Sequence, residues 1–112
     1  MKLKSKVALI TGAGSGLGRE IALAFAREGC AVGINDIRLE SAEAVVAELR
    51  ALGAEAAALP CDVADSRAVH KMFAAHMGAF QTLDILVNNA GIVFMEEHVK
   101  RNSEKMLQEV MS

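Results

Sequence analysis

The chain has 112 residues, the length of one small domain. Fourteen acidic residues against 12 Lys and Arg leave a net charge of −2, without the basic excess that a nucleic-acid partner requires. Apolar residues make up 53% of the chain and charged residues 23%, so a buried core is expected and global disorder is not.

The first apolar run, Lys6-Val7-Ala8-Leu9-Ile10-Thr11, is short and continuous, as in a parallel strand buried on both faces. It is too short to be the core of a signal peptide, which needs about 7–15 apolar residues. No run approaches the ~18 residues of a membrane helix. Gly12-Ala13-Gly14-Ser15-Gly16-Leu17-Gly18 follows, with four glycines in seven residues. Ile21, Ala22, Phe25 and Ala26 then form one helical face that stops near Gly29.

The second unit repeats this plan. Ala31-Val32-Gly33-Ile34 reads as a strand stopped by Asn35-Asp36. Ala42, Val45, Val46, Leu49 and Leu52 form the apolar stripe of a helix that ends at Gly53, with no i,i+4 ion pair to support it. Ala56-Ala57-Ala58-Leu59 has weak strand propensity, but Gly53 and Pro60 bound it as a strand. Asp65 is an expected N-cap for a helix carrying Val69, Met72, Phe73, His76, Met77 and Phe80. A fourth apolar run at 83–87 is broken by Asn88-Asn89-Ala90-Gly91, and residues 103–111 carry a last helical pattern. The alternation predicts an α/β fold, a Rossmann-like doubly wound parallel sheet. Residues 1–112 read as a single domain whose C-terminal end is incomplete.

A glycine-rich turn between strand and helix suits an anion. The first glycine permits the turn, the middle one admits a pyrophosphate to the backbone, and the last lets helix and strand pack closely. By itself the loop could also be no more than a tight connection. Asp36 lies 24 residues after Gly12, where a dinucleotide-binding fold sets a carboxylate against the adenosine ribose. Its alternative role is an N-cap for the next helix. A Walker loop is excluded, because no Gly-Lys-Ser/Thr follows.

Thr11-Gly12-Ala13-Gly14-Ser15-Gly16-Leu17-Gly18 has the form TGxxxGxG, and Asn88-Asn89-Ala90-Gly91 the form NNAG. With Cys61-Asp62-Val63, these resemble the short-chain dehydrogenase/reductase family, over a stretch from about Lys6 to the end of the chain. The resemblance implies an NAD(P)-dependent oxidoreductase acting on a small-molecule alcohol or carbonyl, cytoplasmic and homo-oligomeric. Gly12, Ser15, Gly16, Leu17 and Gly18 would form the pyrophosphate side of the site. Asp36 and the backbone of Ile37 would meet the ribose. Asp62 would bond the adenine amino group, unless it is a solvated strand-end carboxylate, with Val63 beside the ring. Asn89, Ala90 and Gly91 would run along the cofactor, while Asn88 ties the loop to the sheet. The carboxylate of Asp36 and the neutral Ser15 favour NAD over NADP, although Arg38 could soften that preference.

The sequence departs from the family at two points. Gln81 stands where the family often has glycine. The family's Ser, Tyr and Lys lie downstream of NNAG, and this chain has no tyrosine. No catalytic residue is therefore expected here, and the 112-residue chain alone is expected to be inactive; a non-catalytic nucleotide-binding or assembly module is the competing reading. His70, His76 and His98 are expected to be solvated or helix-side residues without a metal, and Cys30 and Cys61 small apolar groups without a disulfide. Met72, Met77, Met106 and Met111 are expected to fill the core.

Overall fold

In the computed structural model, residues 4–89 are described. The expectations for Ala90, Gly91, His98, Met106, Met111 and the helix at 103–111 lie outside them. Four strands and three helices alternate: β1 (Val7–Ile10), α1 (Gly16–Arg27), β2 (Ala31–Asp36), α2 (Leu39–Ala51), β3 (Ala56–Pro60), α3 (Ser66–Phe80) and β4 (Ile85–Val87). All pairings are parallel, and the strand order is β3-β2-β1-β4. The chain thus winds outward from β1 through β3, then crosses back to set β4 against the other side of β1. This is the doubly wound, Rossmann-like arrangement.

Each face of the sheet has its own core. On one, Ile10, Val32 and Ile34 pack with Ala22, Leu23 and Ala26 of α1 and with Ala42, Val45, Val46 and Leu49 of α2. On the other, Leu9 and Leu59 pack with Val69, Met72 and Phe73 of α3. Every residue of β1 is buried, which explains its unbroken apolar sequence. In β3, registration against β2 overrides the weak propensity of its alanines: Val32 pairs with Ala56 and Ile34 with Ala58.

β2 is longer than the sequence suggests. Asn35 and Asp36 do not stop it but form its last two positions, paired with Leu59 and Pro60. A second unforeseen contact joins the first two helices. The Arg19 guanidinium of α1 grips the Glu48 carboxylate of α2 through two nitrogens, with Nε to Oε1 at 2.9 Å. That grip holds the Glu48 carboxyl below its usual range and raises the Arg19 guanidinium. Asp65 caps α3 as expected, accepting from the amides of Arg67 and Ala68 at 3.0 and 3.3 Å.

His76 is not a solvated or helix-side residue. It is fully buried, because its position on α3 faces Gly33 of β2, where a Cβ would lie 2.7 Å from Nδ1. Met72 is a core residue and Met77 packs against the same cluster. No helix among the described residues is long and apolar enough to cross a membrane.

Candidate functional site

Where strand order reverses in a doubly wound sheet, the loops leaving the two adjoining strands diverge and open a crevice at their C-terminal ends. Here those strands are β1 and β4. The β1–α1 glycine loop and the Asn88-Asn89 segment meet there. The Asn89 amide donates to Thr11 Oγ1 at 2.9 Å, and Asn89 Nδ2 donates to the Gly12 carbonyl at 3.2 Å. Thr11 Oγ1 in turn lies 3.2 Å from Asn88 Oδ1, so Asn88 ties loop to sheet.

The loop is folded by its glycines. Gly12 and Gly16 take left-handed φ angles of 62° and 57°, a region that a Cβ disfavours. Around Gly16 there is open space, with no atom outside its own stretch of backbone within 4 Å of where a Cβ would stand. Gly18 is the opposite case. A Cβ there would run into the Gly12 carbonyl and lie 2.6 Å from Asn89 Nδ2. Gly14 is equally confined, since its Cβ would lie 2.6 Å from Asp36 Oδ2 and 2.7 Å from Ser41 Cβ.

The end of β2 holds the loop by three successive amides. Gly12 N–H donates to Asn35 Oδ1 at 3.3 Å, Ala13 N–H to the Asn35 carbonyl at 2.7 Å, and Gly14 N–H to Asp36 Oδ2 at 3.0 Å. The other carboxylate oxygen of Asp36 accepts from the Arg38 amide at 3.0 Å. Asp36 is therefore not the N-cap of α2, a position held by Arg38.

α1 begins directly after this turn. Its N-cap Ser15 is extended and makes no side-chain capping bond, and its first turn carries no acidic residue. The leading amides of a helix have no intrahelical acceptor and carry the positive end of its dipole. An anion fits that electrostatic setting, and the space over Gly16 admits it to the backbone. Leu17 and Ile37, 69% and 67% exposed, are large apolar side chains beside the loop and just after Asp36. Neither contributes to the core, so both leave apolar surface at this edge of the site.

Past β3, Asp62 is exposed and spends Oδ1 on the Ala64 amide at 2.9 Å, closing a local turn. Val63 is only 5% exposed and packs among Leu59, Val69 and Phe73. Its side chain belongs to the core and not to the surface of the crevice. Burial, and after it the carboxylates of Asp62 and Asp65, push the Cys61 thiol up to about 11. Cys61 is thus a protonated thiol at neutral pH. Among the described residues, no group of three or more His, Cys, Asp and Glu could hold a metal ion.

Sequence reasoning passed over Gly14 and Asn35. Gly14 is the unassigned glycine of the motif, and its need appears only when Asp36 and Ser41 are seen against it. Asn35 did leave a signal, a polar residue directly after an apolar strand and directly before the carboxylate.

The family model of short chain dehydrogenases matches residues 6–112. The chain is 45% identical over 92 residues to the (2S)-[(R)-hydroxy(phenyl)methyl]succinyl-CoA dehydrogenase subunit BbsD of Thauera aromatica, covering 82% of this chain and 37% of that one. The fold resembles that of a 7α-hydroxysteroid dehydrogenase complexed with NADH and 7-oxo glycochenodeoxycholic acid, with a TM-score of 0.84 and 32% identity over 89% of this chain and 47% of that one. It also resembles a 3-ketoacyl-(acyl-carrier-protein) reductase of Brucella melitensis complexed with NADH, with a TM-score of 0.70 and 39% identity over 75% of this chain and 33% of that one. The chain therefore spans between about a third and a half of the length of these relatives.

Proposed function

The chain belongs to the short chain dehydrogenase family, and we propose that it binds the NAD of an oxidoreductase acting on an alcohol or carbonyl. One observation carries this reading: the glycine loop, the Asp36 carboxylate and Asn89 converge at the ends of β1, β2 and β4, with open space over Gly16. When bound, the nicotinamide gives or accepts the hydride. The chain's own residues bind and orient.

The amides of Ser15, Gly16 and Leu17 meet the pyrophosphate at the start of α1, while Gly12 and Gly18 let loop, strand and helix approach. Asp36 accepts from the adenosine ribose hydroxyls, taking them in place of or beside the Gly14 amide, and Ile37 lends its backbone. Asp62 turns its remaining carboxylate oxygen to the adenine amino group, next to the Val63 backbone. Asn89, held against the glycine loop, lies on the path toward the nicotinamide. With no tyrosine in its sequence, the 112-residue chain supplies no tyrosine proton donor and turns over no substrate by itself. In the complete enzyme the substrate is a small molecule and the assembly a homo-oligomer.

Asp36 favours NAD because a 2′-phosphate would bring a second anion against its carboxylate. Calorimetric titration of NAD and NADP into wild-type chain and Asp36→Ala tests the reading. The expected result is tighter NAD binding by wild type and a narrowed gap in the variant. Tighter binding of NADP by wild type overturns the preference, and binding of neither nucleotide overturns the cofactor reading itself.

A further inference from the structure

We propose that Asn35 is the positioning residue of this site, a single buried carboxamide that sets the pyrophosphate wall and the adenine wall at a fixed distance from each other. The proposal rests on the reading of this crevice as a dinucleotide site. Asn35 is 2% exposed. Its Oδ1 accepts from Gly12 N–H at 3.3 Å, on the β1–α1 loop. Its Nδ2 donates to the Leu59 carbonyl at 2.9 Å and the Cys61 carbonyl at 3.2 Å, on either side of Pro60 where β3 runs out toward Asp62. The side chain therefore joins two segments that are not strand neighbours, because β2 separates β1 from β3.

The chemistry demands an amide at this place. One side of the position presents an N–H and the other two carbonyl oxygens, so the residue must accept and donate at once. Leu would take away the acceptor of Gly12 N–H and the donor to the Leu59 and Cys61 carbonyls, losing three hydrogen bonds with nothing polar in their place. Asp would accept from Gly12 but oppose a carboxylate to two carbonyls. Asn35 also accepts from Ala13 N–H through its own carbonyl at 2.7 Å. Side chain and main chain of one residue thus fix two consecutive loop amides, and Asp36 fixes the third. The loop enters α1 with its conformation already set, which lowers the ordering cost that the cofactor must otherwise meet.

The experiment uses the full chain with Asn35→Leu and Asn35→Asp, and reads amide hydrogen exchange, melting temperature, and affinity for NAD and for adenosine monophosphate. Asn35→Leu should raise exchange at Gly12 and Ala13 at least tenfold relative to Val45 and Leu49 of α2. It should weaken both nucleotides about tenfold, the equivalent of one lost buried hydrogen bond. The weakening of adenosine monophosphate separates this role from one confined to the pyrophosphate. Asn35→Asp should bind NAD better at pH 5.5 than at pH 8, relative to wild type. The protonated acid can donate to one β3 carbonyl while accepting from Gly12, and the carboxylate cannot. Wild type carries the same surrounding titratable groups, namely Asp36, Cys61, Asp62 and His76, so the ratio removes their contribution. If Asn35→Leu does not fold, the pH dependence of Asn35→Asp decides. Unchanged loop exchange in Asn35→Leu, or a pH response of Asn35→Asp identical to wild type, overturns the proposal. If wild type binds no nucleotide, the cofactor reading fails, and loop exchange alone then upholds or overturns Asn35 as the anchor of the two loops.

Discussion

Asn89 and Gly18 meet across the crevice so closely that a single methyl group on Gly18 would stand 2.6 Å from Asn89 Nδ2. The same nitrogen donates to the Gly12 carbonyl at 3.2 Å. The end of β4 therefore closes onto the start of α1 only because position 18 has no side chain. Two segments far apart in sequence share this contact, the glycine loop leading into α1 and the end of β4, with Asn89 77 residues from Gly12.

Gly18→Ala should disturb fold and site together. The added Cβ meets the Gly12 carbonyl, Asn89 Nδ2 and, at 2.9 Å, Ala13 Cα. Two of these are backbone atoms, which cannot swing aside as a side-chain tip can. Overpacking of this kind costs about 1–3 kcal/mol. Urea unfolding should show that loss, and NAD titration should show weakened binding in the same variant. A wild-type unfolding midpoint would contradict the close approach.

Gly16→Val should separate the two effects. The position has φ +57° and open space around it. A Cβ there meets no neighbour outside its own stretch of backbone, but valine costs about 1–2 kcal/mol for a left-handed backbone. Its side chain fills the volume through which a pyrophosphate would reach the α1 amides. Far-ultraviolet circular dichroism should stay native while NAD affinity falls much further than stability does. Unchanged affinity would reduce Gly16 to a turn residue.

Most of the architecture was legible because buried parallel strands write themselves as short apolar runs. Val7–Ile10 is buried throughout, and the helices between such runs show single stripes. The limits of legibility are local. Asn35 looks like a strand terminator by composition, yet its side-chain amide is satisfied within the sheet, so the strand continues through Asp36. His76 looks like a helix-surface residue until Gly33 is seen to make room for it. The pairing of Arg19 with Glu48 joins residues 29 apart on different helices, beyond any within-helix spacing rule. For the site, the motif named Gly12, Gly16, Gly18 and Asp36, but not that Gly14 must lack a side chain to let Asp36 reach its amide.

Gln81→Gly should stabilise the chain. Gln81 caps α3 with φ 64°, a left-handed conformation that suits glycine, and its amide donates to the Met77 carbonyl at 2.8 Å. Glycine relieves about 1–2 kcal/mol of strain, against about 0.5–1 kcal/mol of added freedom in the unfolded chain. The exposed bond from Gln81 Nε2 to the Gly78 carbonyl, at 3.1 Å, is also given up. The net gain should be roughly 0.5 kcal/mol. Thermal unfolding should register it, with NAD affinity unchanged because the cap lies on the far end of α3. A lower melting temperature would mean that the Gln81 side chain outweighs the backbone strain.

His76 should make stability fall in mild acid. Its Nε2 lies 3.0 Å from the Thr82 carbonyl, so the neutral ring carries its proton there. Nδ1 is buried against Gly33 with no hydrogen-bond partner among the described residues. Protonation would place a second N–H, and a charge, where nothing accepts it. Burial therefore pushes the imidazole below its ordinary 6.5, and the Thr82 carbonyl opposes that shift less strongly. With the folded value depressed, the native state binds fewer protons than the unfolded chain in the acid range. The associated stability is fully present above pH 6.5 and is lost as pH falls below it, by at most about 1.4 kcal/mol per pH unit. His76→Leu removes the titrating group while keeping an apolar side chain against Phe80, whose ring centroid lies 4.9 Å from that of His76. Urea unfolding of both proteins between pH 7.5 and 5 isolates the term, since every other titrating group is shared. The wild type should lose stability relative to the variant across that interval, and parallel curves would show that the His76 imidazole is protonated as readily in the folded chain as in the unfolded one.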